Sequence, residues 1–179
     1  MATGASRCST CPRCWSTTCC SPSNSTRAWC RQAGRTPRAD EQQAIACQQQ
    51  ALIDAAAAQC DVVVCDTTAL MTAVYSAMLF GDESLQAYAV AQHRRCDITL
   101  LTALDLPWVP DGFQRDGPQV REPVDARVRA LLLSHGLPWS PVAGVGERRT
   151  VAALEAVSPL LPQHGQALSR YCTPRGLGG

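Results

Sequence analysis

Val62, Val63 and Val64 stand in an unbroken run between Asp61 and Asp66, with Cys65 closing it. Continuous β-branched text of this kind fits a strand buried on both faces, which is the signature of a parallel sheet. Asp97-Ile98-Thr99-Leu100-Leu101-Thr102 predicts a second buried strand, and Trp139 to Ala143 a short third. Helices are expected between them. Thr36-Pro37 followed by Asp40-Glu41 opens one, with acids at the positive end of the dipole. It runs to Ala58 with Ile45, Leu52 and Ile53 on one face. Thr67 or Thr68 caps a second helix to about Leu79, which Gly81-Asp82 breaks, and Ser84 to Gln92 is a third. Glu122-Pro123 opens a fourth, with Val124, Val128, Leu131 and Leu132 at i, i+4, i+7 and i+8, and His135-Gly136 ends it. Glu147 to Val157 is the last. Strands alternating with helices predict an α/β fold with a parallel sheet. Sheets of this kind usually have about five strands. The missing ones are expected in the first 35 residues, where no strand-like text exists.

Those residues differ from the rest. The first 26 contain no Leu, Ile, Val or Phe. The stretch to Ala39 carries six Arg and no acid. Such text buries too little apolar surface to offset its chain entropy, so residues 1–26 are expected as a disordered Cys/Ser/Arg-rich leader. Residues 27–161 form the expected domain and 162–179 a flexible tail. Of eleven cysteines, six precede residue 31. Cys8, Cys11 and Cys14 have a spacing that suits a soft metal, but the fourth ligand of such a site is missing. A disulfide framework would call for a secreted context, and no apolar signal segment follows Met1. The abrupt change near Arg27 fits a shift of reading frame in the coding DNA; a degenerate homologue is the alternative.

The net charge is +1, so no strong field argues for nucleic acid or a membrane surface as partner. No run is apolar enough for a transmembrane helix, and a cytoplasmic location is expected. All sixteen basic residues are Arg, so chemistry that needs a lysine is excluded.

Ligands of parallel α/β sheets bind at the carboxyl ends of the strands. Asp66 ends the Val62–Cys65 run, where phosphotransferases hold Mg²⁺ directly or through water. Equally, it could only cap the following helix. Leu104 to Pro118 is a long loop with Trp108, Arg115 and, just beyond it, Arg121. Two Arg beside a Gly-containing loop suit a lid over phosphates, since guanidinium binds phosphate bidentately. Trp108 could stack on a planar ring, or fold onto the core. Gly144-Val145-Gly146-Glu147-Arg148 could pass an adenine or be only a tight turn. His93, His135 and His164 share no spacing and are expected at the surface.

From about Arg27 to Val157 the chain resembles the P-loop ATPase/AAA domain of the NadR-type ribosylnicotinamide kinases, most closely their bacterial stand-alone ATP-binding branch. The carrying segments are Gly34 to Gln42, Val63 to Thr68, Thr72 to Ser76 with Leu79 to Asp82, and Asp105-Leu106-Pro107-Trp108-Val109-Pro110-Asp111-Gly112 through Arg115 to Arg121. The resemblance implies a P-loop kinase-like three-layer sandwich with a parallel sheet, incomplete at its N-terminus, where the first strand and the P-loop are absent. It implies ATP and Mg²⁺ as cofactors, and phosphoryl transfer to a nucleoside-type hydroxyl such as that of nicotinamide riboside. Asp66 would hold Mg²⁺ with water and act catalytically beside Arg115 and Arg121. Thr67 and Thr68 would flank the acceptor. Trp108, Asp111 and Gly112 would belong to the lid, with Gly146 and Arg148 at the nucleotide. The family's Gly-x4-Gly-Lys-Ser/Thr loop has no counterpart, and without its Lys the chain as written is expected to be inactive; the alternative to the kinase-like reading is a degenerate, non-catalytic homologue acting only as a binding or regulatory protein.

Overall fold

The computed structural model describes residues 19–22, 25–109 and 118–161. All three expected strands are present: β2 (Val62–Val63), β3 (Thr99–Thr102) and β4 (Trp139–Val142), after β1 (Cys19–Cys20). Among the described residues they form two two-stranded sheets, both parallel. In one, Cys19 faces Val62 and Cys20 faces Val63, and the Val64 N–H extends the ladder to the Cys20 carbonyl at 2.9 Å. In the other, the register runs from Thr99 opposite Trp139 to Thr102 opposite Val142. The fold is therefore α/β with small parallel sheets.

β1 supplies a strand where the text promised none. It is also fastened covalently, because Cys20 is joined to Cys60 in a disulfide with Cα atoms 5.9 Å apart, an ordinary bridging distance. Composition argued against disulfides; this one forms because the parallel register places Cys20 beside the chain that enters β2. Described structure thus begins at Cys19, upstream of the Arg27 boundary. Helix α1 (Ser25–Ala33) spans that boundary. It is held to α2 (Gln42–Ala57) by buried polar groups: the Ser25 N–H donates to Gln49 Oε1 at 2.7 Å and its hydroxyl to the Ile45 carbonyl at 3.3 Å. The 3₁₀ turn Ala39–Glu41 leads into α2. Arg35 grips Glu41 bidentately at 2.7 and 2.8 Å. That guanidinium, with the Arg38 N–H, holds the Glu41 carboxyl down at about 2.

α3 (Ala69–Phe80) is the central helix. Thr68 caps its start by accepting the Leu70 N–H at 3.3 Å. Gly81, at φ 66°, ends it in the left-handed conformation that a side chain disfavours. On one side Ala69 and Ala73 meet Ala46 of α2, with Leu85 and Ala89 from the α4 region, a contact of small residues that lets the helices approach closely. α4 is Gln86–His93. On the other side Leu70 and Val74 join Val90 and the Val128, Leu131 and Leu132 face of α5 (Arg121–Ser134). Leu101 of β3 and Trp139 of β4 pack onto that cluster. α6 (Glu147–Val157) follows β4. Among the described residues no helix is long and apolar enough to cross a membrane.

Candidate functional site

Both sheets are parallel, so their carboxyl ends gather the loops that follow the strands. After β2 come Cys65, Asp66, Thr67 and Thr68. The Asp66 carboxylate is exposed, with no side-chain partner among the described residues. The Thr67 hydroxyl oxygen is buried and likewise unpartnered. Thr68, as the cap of α3, is committed to Leu70 and to the ring of His93. Burial pushes the Cys65 thiol up to about 11, with Cys96 adding to the effect. A thiol that resists ionising is a poor nucleophile.

The expectation for His93 is corrected. It is not a surface residue but 6% exposed, and burial lowers its pKa. Helical spacing carried the signal: His93 falls four residues after Ala89 and three after Val90, both buried.

The ends of β3 and β4 form a second group. Asp105, just past β3, accepts the Gly144 N–H at 2.6 Å through Oδ2 and pairs with Arg149 through Oδ1. Arg149 in turn donates from Nε to the Gly144 carbonyl at 2.8 Å. The Gly144 N–H, with Arg149, holds the Asp105 carboxyl below the usual carboxylate range. Gly144 sits at φ 102°, and a Cβ there would lie 3.2 Å from that of Arg148. Gly146 is the N-cap of α6, and Arg148, on its first turn, is exposed. Arg121, at the start of α5, donates to the Leu106 carbonyl at 2.8 Å. With Leu104, Pro118 and Glu122 it lines a shallow recess of about 90 Å³. Trp108 is half-buried.

Arg121 is thus tied to the segment that carries Trp108, and Gly146 and Arg148 stand beside the Asp105–Arg149 pair. Asp66, Thr67 and Thr68 form the separate group after β2. Asp111, Gly112 and Arg115 lie outside the described residues. Sequence reading did not assign roles to Asp105 or Arg149. The available signal for Asp105 is an acid three residues past the last residue of β3, as Asp66 is past β2.

Mg²⁺ demands oxygen ligands and commonly takes one or two carboxylates, keeping several waters. The exposed Asp66 carboxylate fits such an ion, whereas the Thr67 hydroxyl is shut off from solvent. Among the described residues no cluster of three or more His, Cys, Asp or Glu could hold a metal by itself. The phosphate end fits less well. α1 follows β1 in the chain, yet the chain has no Lys and the Ser25 amide is taken by Gln49.

A family model described as an AAA domain matches residues 20–149. The match begins at Cys20, the second residue of β1, and ends at Arg149, on the first turn of α6. No curated protein matches the chain.

Proposed function

The chain belongs to the AAA domain family, and from that premise we propose that it binds ATP with Mg²⁺ across the carboxyl ends of its strands. The carrying observation is the exposed Asp66 carboxylate just past the end of β2. That carboxylate, with water, would hold Mg²⁺, which when bound offsets phosphate charge. Arg115 and Arg121 would neutralise the phosphates. In a chain without Lys that task falls to guanidinium, which stays charged and binds in a fork. Trp108 would lie against the base, with Asp111 and Gly112 in the covering loop and Gly146 and Arg148 at the nucleotide's far end. The reaction proposed is that of the ribosylnicotinamide kinases: transfer of the γ-phosphoryl group to a nucleoside-type hydroxyl, with Thr67 and Thr68 beside the acceptor, in the cytoplasm.

A second reading is favoured by the absent Lys and the occupied Ser25 amide: a non-catalytic homologue that binds nucleotide without turning it over. One pair of measurements separates the two. The full chain is titrated with a fluorescent ATP analogue and Mg²⁺, then incubated with MgATP and nicotinamide riboside while ³¹P NMR follows the phosphates. Binding that weakens in Asp66→Asn, with a new phosphomonoester signal, supports the kinase. Binding with no new signal supports the second reading. No binding by the wild-type chain refutes both.

A further inference from the structure

His93 ends α4 and is bonded at both ring nitrogens. Nδ1 lies 3.0 Å from Thr68 Oγ1, and Nε2 lies 2.6 Å from Thr99 Oγ1. The two hydroxyls belong to different parts of the fold. Thr68 follows β2 and caps α3, whereas Thr99 opens β3. Among the described residues the two sheets share no ladder bond. A buried histidine therefore fastens the exit of one sheet to the start of the other.

Hydrogen-bond accounting limits what the ring can do. Thr68 Oγ1 already accepts the Leu70 N–H. A hydroxyl has one proton and two acceptor positions, and a neutral imidazole has one donor and one acceptor. Either neutral tautomer therefore makes both contacts to the ring, with donation running from Thr68 through His93 to Thr99 or in reverse. Neither nitrogen is left to meet a ligand. Any influence of His93 on the strand end must pass through Thr68, whose chain neighbours are Thr67 and Asp66.

We propose that His93 is a positioning residue that holds the Asp66–Thr68 segment against β3 through the Thr68 hydroxyl. Asp66 and Thr67 are then presented at one fixed place at the end of β2. Only the consequence for Mg²⁺ and nucleotide rests on the reading in the preceding subsection; the positioning does not.

The test uses the full chain with His93→Phe, which removes both bonds, and His93→Gln, whose amide can restore one. Thermal melts establish that each variant folds. Where His93→Phe does not, Thr99→Val cuts the far bond and replaces it. Two readouts are taken: amide NMR shifts with hydrogen exchange in the free protein, and affinity for the fluorescent ATP analogue with Mg²⁺. His93→Phe is expected to move the amide signals of residues 66–68 and speed exchange at Leu70 about tenfold. Affinity should fall about tenfold, the lower end for loss of a group that orients a metal ligand, and His93→Gln should recover part of it. A folded His93→Phe with unchanged signals at 66–68 and unchanged Leu70 exchange overturns the proposal. If the signals move and affinity does not, although Asp66→Asn weakens binding, the link to nucleotide is overturned. If the wild-type chain binds no nucleotide, the earlier reading fails and the amide signals alone decide the positioning.

Discussion

Asp105 and Arg149 close a clamp across the carboxyl ends of β3 and β4. One Asp105 oxygen takes the Gly144 N–H, the other meets the guanidinium, and the guanidinium returns to the Gly144 carbonyl. Each polar group of the Gly144 backbone is thereby used, one by each partner. The loop after β3 and the first turn of α6 are joined into one unit beside Arg121.

Gly144 has to stay a glycine for this clamp to close. Its φ is 102°, and an added Cβ would press on Arg148 at 3.2 Å and on the Arg149 backbone nitrogen at 3.4 Å. Gly144→Ala should cost about 1–3 kcal/mol. Gly34→Ala, also at positive φ but with nothing within 4 Å of its Cβ, should cost less. Urea unfolding of the two variants checks the order.

Acid should weaken the fold in the range where histidine titrates. Burial depresses the His93 pKa, so the unfolded chain takes up a proton that the native ring refuses. The contribution is fully present above the unfolded value of about 6.5 and is lost as pH falls toward the folded value. The urea midpoint should therefore drop between pH 7.5 and 5.5. His93→Gln should flatten that slope. Glu41, held at about 2, contributes its own loss only in stronger acid, so the two are separable.

Reduction should also destabilise the protein. Cys20 and Cys60 are 40 positions apart. Releasing a loop of that size corresponds to about 4 kcal/mol in the chain-entropy description. Unfolding with and without dithiothreitol should show a drop of that order. Cys60→Ser should fall to the reduced value and then ignore the reductant.

Leu132 and Leu133 offer a contrast inside one helix. Leu132 is 0% exposed within the α3–α5 cluster, while Leu133 is 66% exposed. Leu132→Ala should cost about 2–5 kcal/mol. Leu133→Ala should stay within about 0.5 kcal/mol. Equal effects would mean that α5 is rotated from its described face.

Where burial and hydropathy agree, the chain declared its structure. Val62–Val63 and Thr99–Thr102 were readable because apolar residues run together, but the expected burial on both faces is corrected: with one neighbouring strand each among the described residues they are at most half-buried, and Val64 is 55% exposed. α3 was readable from Thr68 and Gly81, and α5 from the spacing of Val128, Leu131 and Leu132. The elements that escaped are held by something other than apolar pattern. β1 is two cysteines, recognisable only through the partner it pairs with and the disulfide it makes. α1 is pinned by Ser25 on Gln49, a polar contact between residues 24 apart. The strand-end acid Asp66 was legible from position alone. The Asp105–Arg149 pair joins residues 44 apart, and no local pattern announces such a pairing.

The β1–β2 ladder is only two residues long on each side, whereas α3 is buried from both flanks. The molecule therefore consists of cooperative units of unequal strength. The N-terminal edge is expected to open before α3, α4 and α5 do, and only as far as the Cys20–Cys60 disulfide lets β1 part from β2. Asp66 stands on the seam between the two, so a ligand that bridged it to β1 would be recorded as slowed exchange in the weaker unit well before any change in the melting of the whole.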